Sequence, residues 1–552
     1  MPQIRSQIKT FEGPTAPCSL LMGLGLTMED LAKPRVGVIN TWSDINPGHV
    51  HLRPVAEAVC EGVKEAGGQP FNFNGLNLCD SIGSGPYVLP SRDLLVNEIE
   101  IYAEANKLDA MVLIGTCDKV VPGLLMAAGR LDLPTIILTG GYMNTGRLNG
   151  ENVDFIDIGI NLTKLREGKI TQAYMDELME AACPAPGACG MMGTANSMSL
   201  MVETIGMSLP GNTTTSARSP ELLTLAKEAG RQVLKLWEQG ITARKIITNE
   251  SVTNAIKVCM AVGGSANTVI HIPAAATEAE LTIDCSDLYA RASQEIPLLI
   301  GIRPNGPYTM RDFDEAGGLH ALLKEVKDDL DISCLTVNGK TLGENIDAAV
   351  NKNPEVIRHR DNPLDTEGGL VLLKGNIAPE GTFVKKSAVP KELLHFRGKA
   401  RVFYDVLEAI ETLERDEIEP NTAVFVLMQG PKGGPGSAYQ FATRLKGSAK
   451  LGNNCTITDG RLSGAAAGAC FGYLSPEAGL RGPVVAVRDG DIVEYDIEER
   501  WIRVELSDEE IEKRRQEFEL NLKIPRGFMG IYKQTVGSIL KGAVMSGDNV
   551  TR

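Results

Sequence analysis

Three short apolar runs set the fold class of the amino-terminal part of this chain. They are Arg35–Asn40 (RVGVIN), Met111–Gly115 (MVLIG) and Thr135–Thr139 (TIILT), each followed or preceded by a helical stretch. Strands apolar on both faces are buried on both faces, the pattern of a parallel sheet with helices on either side. Leu52–Ala66 supplies one such helix, with apolar residues at helical spacing and a stop at Gly67-Gly68. The alternation predicts an α/β domain whose ligands sit in the crevice beyond the carboxyl ends of the strands. Asn40–Gly48 and Thr116–Pro122 are the loops that fall there.

Further along, Cys189–Leu209 reads as a buried, Met-rich helix that follows a Pro-Ala-Pro-Gly turn at 184–187. Ser251–Glu280 reads as helical, interrupted at Gly263-Gly264. Beyond about Asp361 the texture changes: Gly and Pro become frequent, and Ala423–Met428, Pro483–Arg488 and Trp501–Leu506 read as strands. The expected boundary lies near residue 375, dividing the chain into 1–375 and a β-rich 376–552. Asp508–Glu519 reads as a solvated, charged helix.

Charge and composition then exclude whole classes. Lys and Arg total 55 against 70 Asp and Glu, a formal net charge of −15, which opposes binding to nucleic-acid phosphates. No apolar run approaches the roughly 18 residues of a membrane span. Met1–Thr10 lacks the apolar core of a signal peptide, so a soluble, cytoplasmic protein is expected. The eleven cysteines contain no CxxC pair. In a reducing compartment they are expected to be free thiols, most of them core residues and a few of them ligands.

The densest chemistry is Gly115-Thr116-Cys117-Asp118-Lys119, where a thiol, a carboxylate and an amine follow a strand end. Asp80, in Leu78-Cys79-Asp80-Ser81, is placed to meet Asp118 across the crevice, giving two hard oxygen ligands suited to Mg²⁺. The same residues also read as a buried filler and a helix-capping pair. Cys189, at an expected helix start, is where a helix dipole favours a thiolate. Cys117 and Cys189 would share an iron–sulfur cluster if the fold brings them together; packing is the alternative. The Gly430–Gly436 loop lacks the GK[ST] of a phosphate-binding loop and reads either as an anion-facing turn or as a tight structural one. Ser463, in Thr458-Asp-Gly-Arg-Leu-Ser-Gly464, has no His and Asp pattern around it for a hydrolase triad. His49 and His51 stand in the first crevice loop as substrate contacts or polar fillers.

Taken together, the segments resemble the dihydroxy-acid and sugar-acid dehydratase family. The matching stretches run in family order over nearly the whole chain. They include NTWSDINPGHVHLR (40–53), LCDSI (78–82), LPSRDLL (89–95), IGTCDKVVPGLLMAAGRLDLPTI (114–136), PGACGMMGTANSM (186–198), VGGSANTVIH (262–271), GGLVLLKGNIAPEG (368–381), GPKGGPG (430–436), TDGRLSG (458–464) and SPEA (475–478). The resemblance implies a large αβα-sandwich amino-terminal domain, a β-barrel-like carboxy-terminal domain and a homodimer or homotetramer. It implies that Cys117 and Cys189 match two ligands of a [2Fe-2S] or [4Fe-4S] cluster. Asp80, Asp118 and Lys119 match the Mg²⁺ site, with the lysine carbamylated, and Ser463 matches the serine that takes the C2 proton. His51 and Arg461 are expected to bind substrate. The implied reaction removes water from a 2,3-dihydroxy carboxylate, either a branched-chain dihydroxy acid or a sugar acid, to give a 2-oxo acid.

Two positions depart from the family pattern. Gly48 stands where the family has a cluster cysteine, and Tyr439 where it has a glutamate ligand to Mg²⁺. Cys79, Cys18 and His49 are the candidates to replace the lost soft ligand. The departures open two other readings beside the hydro-lyase: a cluster-free enzyme that abstracts a proton, as an epimerase or isomerase does, and a non-catalytic ligand-binding homologue.

Overall fold

The computed structural model describes residues 4–5, 16–83, 85–448, 450–462 and 468–545. Strands β1 (Arg35–Asn40), β2 (Gln69–Asn74), β3 (Ala110–Gly115) and β4 (Thr135–Thr139) form a parallel sheet in the order β2-β1-β3-β4. The three apolar runs read from the sequence are β1, β3 and β4; the fourth, β2, is half polar and sits at an edge. Every residue of β3 and β4 is buried, as a sheet covered on both faces requires.

Helix α1 (Leu52–Glu65) joins β1 to β2, α2 (Val88–Ala105) joins β2 to β3, and α3 (Val120–Leu131) joins β3 to β4. The strand order reverses at β1, so right-handed crossovers put α1 on one face and α2 and α3 on the other. The crevice at this reversal, between β1 and β3, is where open α/β sheets bind their ligands. Helices α4 (Thr194–Ile205), α5 (Pro220–Gln239), α6 (Asn249–Ala261) and α7 (Thr268–Glu278) complete the two layers. Contact between α1 and α5 is close because each offers a glycine: a Cβ on Gly62 would stand 1.9 Å from the Lys227 carbonyl oxygen. The expected break between α6 and α7 is present, with Gly263 at φ +57°.

The expected helix from Cys189 is corrected. α4 begins only at Thr194, with Gly193 as its cap, and Cys189–Gly193 is a chain of tight turns. Gly190 and Gly193 disfavour helix there, so Cys189 does not sit on a helix dipole.

The carboxy-terminal strands are β5 (Val371–Gly375), β6 (Ala378–Val384), β7 (His395–Phe403), β8 (Thr422–Val426), β9 (Cys455–Thr458), β10 (Cys470–Ser475), β11 (Ile492–Asp496) and β12 (Trp501–Val504). They close into a barrel in the order β8-β9-β10-β6-β5-β12-β11-β7. Alternate residues of β7 point inward, and Phe396, Phe425, Ile457, Phe471 and Tyr495 fill the interior. Pro483–Arg488 is not a strand: Pro483–Ala486 is a 3₁₀ turn, its first residue lacking an N–H to give a ladder.

The domains are stitched together by buried polar contacts. Arg92 on α2 donates to the carbonyls of Gly542 and Ala543 at 2.8 Å, and Asp93 accepts from the Met545 N–H. Tyr473 of β10 donates to Asn267 at the start of α7. Among the described residues no helix is long and apolar enough to cross a membrane.

Candidate active site

The loops after β1, β2 and β3 bring Asn46–His51, Cys79-Asp80 and Cys117–Lys119 to one crevice, and the barrel closes it with Arg461, just after β9. Lys119 Nζ lies 3.5 Å from the Asp80 carboxylate and 4.0 Å from that of Asp118. Arg461 donates to Asp80 at 3.1 and 3.4 Å. Both cations are nearly sealed from solvent, at 1 % and 4 % side-chain exposure, whereas the two carboxylates stay about one-fifth exposed at the crevice mouth. The expected meeting of Asp80 with Asp118 and Lys119 is therefore present.

The two carboxylates have different electrostatic surroundings. Burial opposes ionisation of Asp80, but Lys119 and Arg461 outweigh it and hold the group below the usual carboxylate range. Burial dominates at Asp118 and raises it, with Lys119 and a hydrogen bond with Thr194 working the other way. Burial also lowers the Lys119 ammonium. Among the described residues its Nζ makes no hydrogen bond of ordinary length, only the two longer ion pairs with Asp80 and Asp118.

The sulfur side is less complete. Cys117 and Cys189 lie close enough to act on one another's thiols, with Cys79 beside them, and burial pushes all three up. A Cβ built on Gly48 would stand 2.5 Å from Cys117 Sγ, so residue 48 does border the sulfur pocket but brings no ligand to it. Asn46 occupies the place instead. Its Oδ1 accepts from the Gly48 N–H at 3.0 Å and from the Cys117 thiol at 3.2 Å.

Of the substitute ligands, His49 is corrected. It is fully buried, its Nδ1 donates to the Thr41 carbonyl at 2.7 Å and its Nε2 accepts the Cys117 N–H at 3.0 Å. Burial lowers it to about 3, so it is a neutral strut with both nitrogens committed. Cys18 lies on the separate helix Ala16–Met22, which packs on Met28–Leu31. His51 donates from Nε2 to the Gly140 carbonyl at 2.7 Å. Ser463 lies outside the described residues.

Among the described residues no three His, Cys, Asp or Glu side chains converge as a ready metal site. For an iron–sulfur cluster the donor set offers two thiols and a neighbour, without a convergent third. For Mg²⁺ the chemistry of the donors fits on one condition. As built, two carboxylates balance two buried cations, leaving no charge for a divalent ion. Converting Lys119 to a carbamate exchanges a cation for a third oxygen donor and restores the balance.

The Gly-rich loop is anchored from below. Glu477 accepts the N–H groups of Lys432 and Gly433 at 3.0–3.1 Å, and Asp459 accepts those of Met428, Gln429 and Ala478. Its N–H groups thus meet a carboxyl group of the protein itself. From this loop the chain runs into helix α8 (Tyr439–Gly447), and Ala438 N–H bonds the Arg461 carbonyl. Tyr439 packs with Phe155, Ile156, Ile160, Met191 and Cys189 into an apolar lip.

Several members of the site escape sequence reasoning. Thr194 holds Asp118 and is itself bonded to Ser265 and Asn267. His271 is wholly buried and takes an Arg92 N–H on Nδ1 at 3.2 Å. These residues lie in PGACGMMGTANSM, VGGSANTVIH and LPSRDLL, so the segments carried the signal although the roles did not show.

Comparison with known proteins agrees with this arrangement. Residues 33–345 match the dihydroxy-acid/6-phosphogluconate dehydratase N-terminal family model and residues 355–543 the C-terminal one. A dihydroxy-acid dehydratase of Methanobrevibacter smithii is 42 % identical over 536 residues, 96 % of this chain and 97 % of that protein. Those of Methanococcoides burtonii and Caldicellulosiruptor saccharolyticus are each 40 % identical over 536 residues, 95 % and 96 % of this chain and 97 % of each of those proteins. The chain belongs to the dihydroxy-acid/6-phosphogluconate dehydratase family and is a dehydratase, a carbon–oxygen hydro-lyase.

Proposed function

We propose that the protein dehydrates a 2,3-dihydroxy carboxylate carrying a small alkyl branch to the corresponding 2-oxo acid. The observation that carries this reading is the convergence of Asp80, Asp118, Lys119 and Arg461 at the sheet's switch point. The names of the relatives agree with a dihydroxy acid. The lip of Phe155, Ile156, Met191 and Tyr439 favours an alkyl branch over a chain of hydroxyls, which would lose water contacts there.

Asp80, Asp118 and a carbamylated Lys119 are the residues to hold Mg²⁺, which when bound stabilises the negative charge that develops as the C2 proton leaves. The chain's own groups do the rest. The buried cation Arg461, fixed on Asp80, biases the crevice toward a substrate carboxylate. Ser463, two residues beyond it in sequence, is the group proposed to take the C2 proton. The C3–O bond breaks and the 3-hydroxyl departs as hydroxide, which combines with the proton Ser463 has taken and is released as water; the enol left behind tautomerises to the 2-oxo acid. Seclusion of Arg461 from water strengthens its field on the bound anion.

The test is 2-oxo acid formation by anaerobically purified protein supplied with Mg²⁺ and bicarbonate. A panel of branched dihydroxy acids and sugar acids is offered. Turnover is expected, fastest for a branched dihydroxy acid. No product from any of them, with the fold intact by circular dichroism, refutes the function; preference for a sugar acid refutes the alkyl-branch reading.

A further inference from the structure

The phenol of Tyr439 is a polar group in the crevice that the reaction above leaves unused. The ring is held on its apolar side, 6.1 Å from the ring of Phe155 and packed with Ile156, Met191 and Cys189. Its hydroxyl has no hydrogen-bond partner among the described residues, although its backbone N–H bonds Ser437. The ring is thus fixed by packing while its O–H remains available, the arrangement of an amphipathic side chain that binds from a rigid base.

The surroundings decide what the O–H meets. Ala438 donates its N–H to the Arg461 carbonyl, so Tyr439 stands beside the loop that carries Arg461, and the Cys189 thiol and the Asp154, Asp80 and Asp118 carboxyls are near enough to act on the phenol. A phenol is an O–H donor at neutral pH, and the carboxyls near it disfavour a second carboxylate there. The substrate carboxylate is drawn instead by Arg461. An uncharged oxygen further along the substrate is what remains for the phenol. We propose that Tyr439 is a substrate-positioning residue whose hydroxyl donates a hydrogen bond to the 3-hydroxyl oxygen of the bound dihydroxy acid. This assignment rests on the substrate class proposed above. It also gives the residue a use different from the metal-binding glutamate of the family pattern, because a protonated phenol is a donor where a carboxylate is an acceptor.

The experiment is a chemical double-mutant cycle measured by calorimetry on the Mg²⁺-loaded protein. One arm compares wild type with Tyr439→Phe; the other compares a branched 2,3-dihydroxy acid with the 2-hydroxy acid that lacks the 3-hydroxyl. The expected result is a loss of roughly fivefold to tenfold in dihydroxy-acid affinity in the Phe variant, the range of one neutral hydrogen bond. Affinity for the 2-hydroxy acid should be unchanged, as should Mg²⁺ affinity and thermal midpoint. Tyr439→Gln, which keeps a donor, should recover part of the difference. Equal losses on both ligands, or no loss on either, overturns the assignment. Failure of the wild type to bind any dihydroxy acid overturns both this and the function. Turnover by wild type with an unresponsive Phe variant overturns this assignment alone.

Discussion

The two halves of the crevice have been built to different degrees of completeness. On the oxygen side, Asp80, Asp118, Lys119 and Arg461 meet within 3.1–4.0 Å, although they come from three loops and two domains. On the sulfur side, Cys117 is bonded to an asparagine, Gly48 lends only backbone, and Tyr439 covers Cys189. The difference follows from the forces involved. Opposite charges attract over several ångströms and set their own geometry once buried. Thiols behave as small apolar groups until a metal claims them, so packing and weak hydrogen bonds decide their neighbours.

Neutralising the oxygen side should give the largest effect. Asp80→Asn leaves Lys119 and Arg461 facing one carboxylate instead of two and removes a metal donor. A fall in kcat of about a thousandfold or more is expected, comparable with losing a main electrostatic stabiliser of a transition state. Unfolding by guanidinium should show a simultaneous loss of roughly 3 kcal/mol, the scale of a broken buried pair. If Asp80→Asn keeps wild-type turnover, the oxygen side is structural and the comparison between the halves fails.

A smaller effect is expected from the anchor beneath the Gly-rich loop. Burial, reinforced by Asp459, pushes the Glu477 carboxyl up to about 8. Its pKa in the folded protein lies above its unfolded value, so the fold favours the protonated form. The stabilisation is complete below the unfolded pKa near 4.5 and is lost as pH rises through about 8. Between pH 6 and 7 this group should subtract about 1.4 kcal/mol of stability. Glu477→Gln should abolish that slope in denaturant titrations, and an unchanged slope would show that Glu477 is ionised in the fold.

The legible and illegible parts of the sequence divide along the same physical line. β1, β3 and β4 announce themselves because a strand covered on both faces must be apolar throughout, whereas half-polar β2 is hidden by its edge position. The closed barrel rests on the family resemblance: its strands are short, and only Ala423–Met428 and Trp501–Leu506 show as runs. Cys117, Asp118 and Lys119 are legible because three reactive side chains follow a strand end. Thr194, Asn46 and His271 are not, because each meets the site through hydrogen bonds made at a sequence distance of 71 to 179 residues, which no local pattern encodes. His49 shows the converse error. A histidine in a crevice loop looks available, but in the fold a backbone carbonyl and a backbone N–H have claimed both nitrogens.

The sulfur side can be completed deliberately, with the smallest of the expected effects. A Cβ at residue 48 would lie 2.5 Å from Cys117 Sγ and 3.3 Å from Asn46 Oδ1. Gly48→Cys therefore displaces the Asn46 contact and sets a third thiol against Cys117, itself a neighbour of Cys189. After anaerobic reconstitution with iron and sulfide, the variant should retain about twice the iron of wild type per chain through gel filtration, because a third thiolate slows release from a site with two. Gly48→Ala is the necessary control. It imposes the same crowding without a sulfur and should bring no gain in iron, while lowering stability by about 1 kcal/mol through overpacking against Cys117. Equal iron in Gly48→Cys and Gly48→Ala would mean that the missing ligand position lies elsewhere, and that the sulfur half is incomplete for a reason other than the glycine.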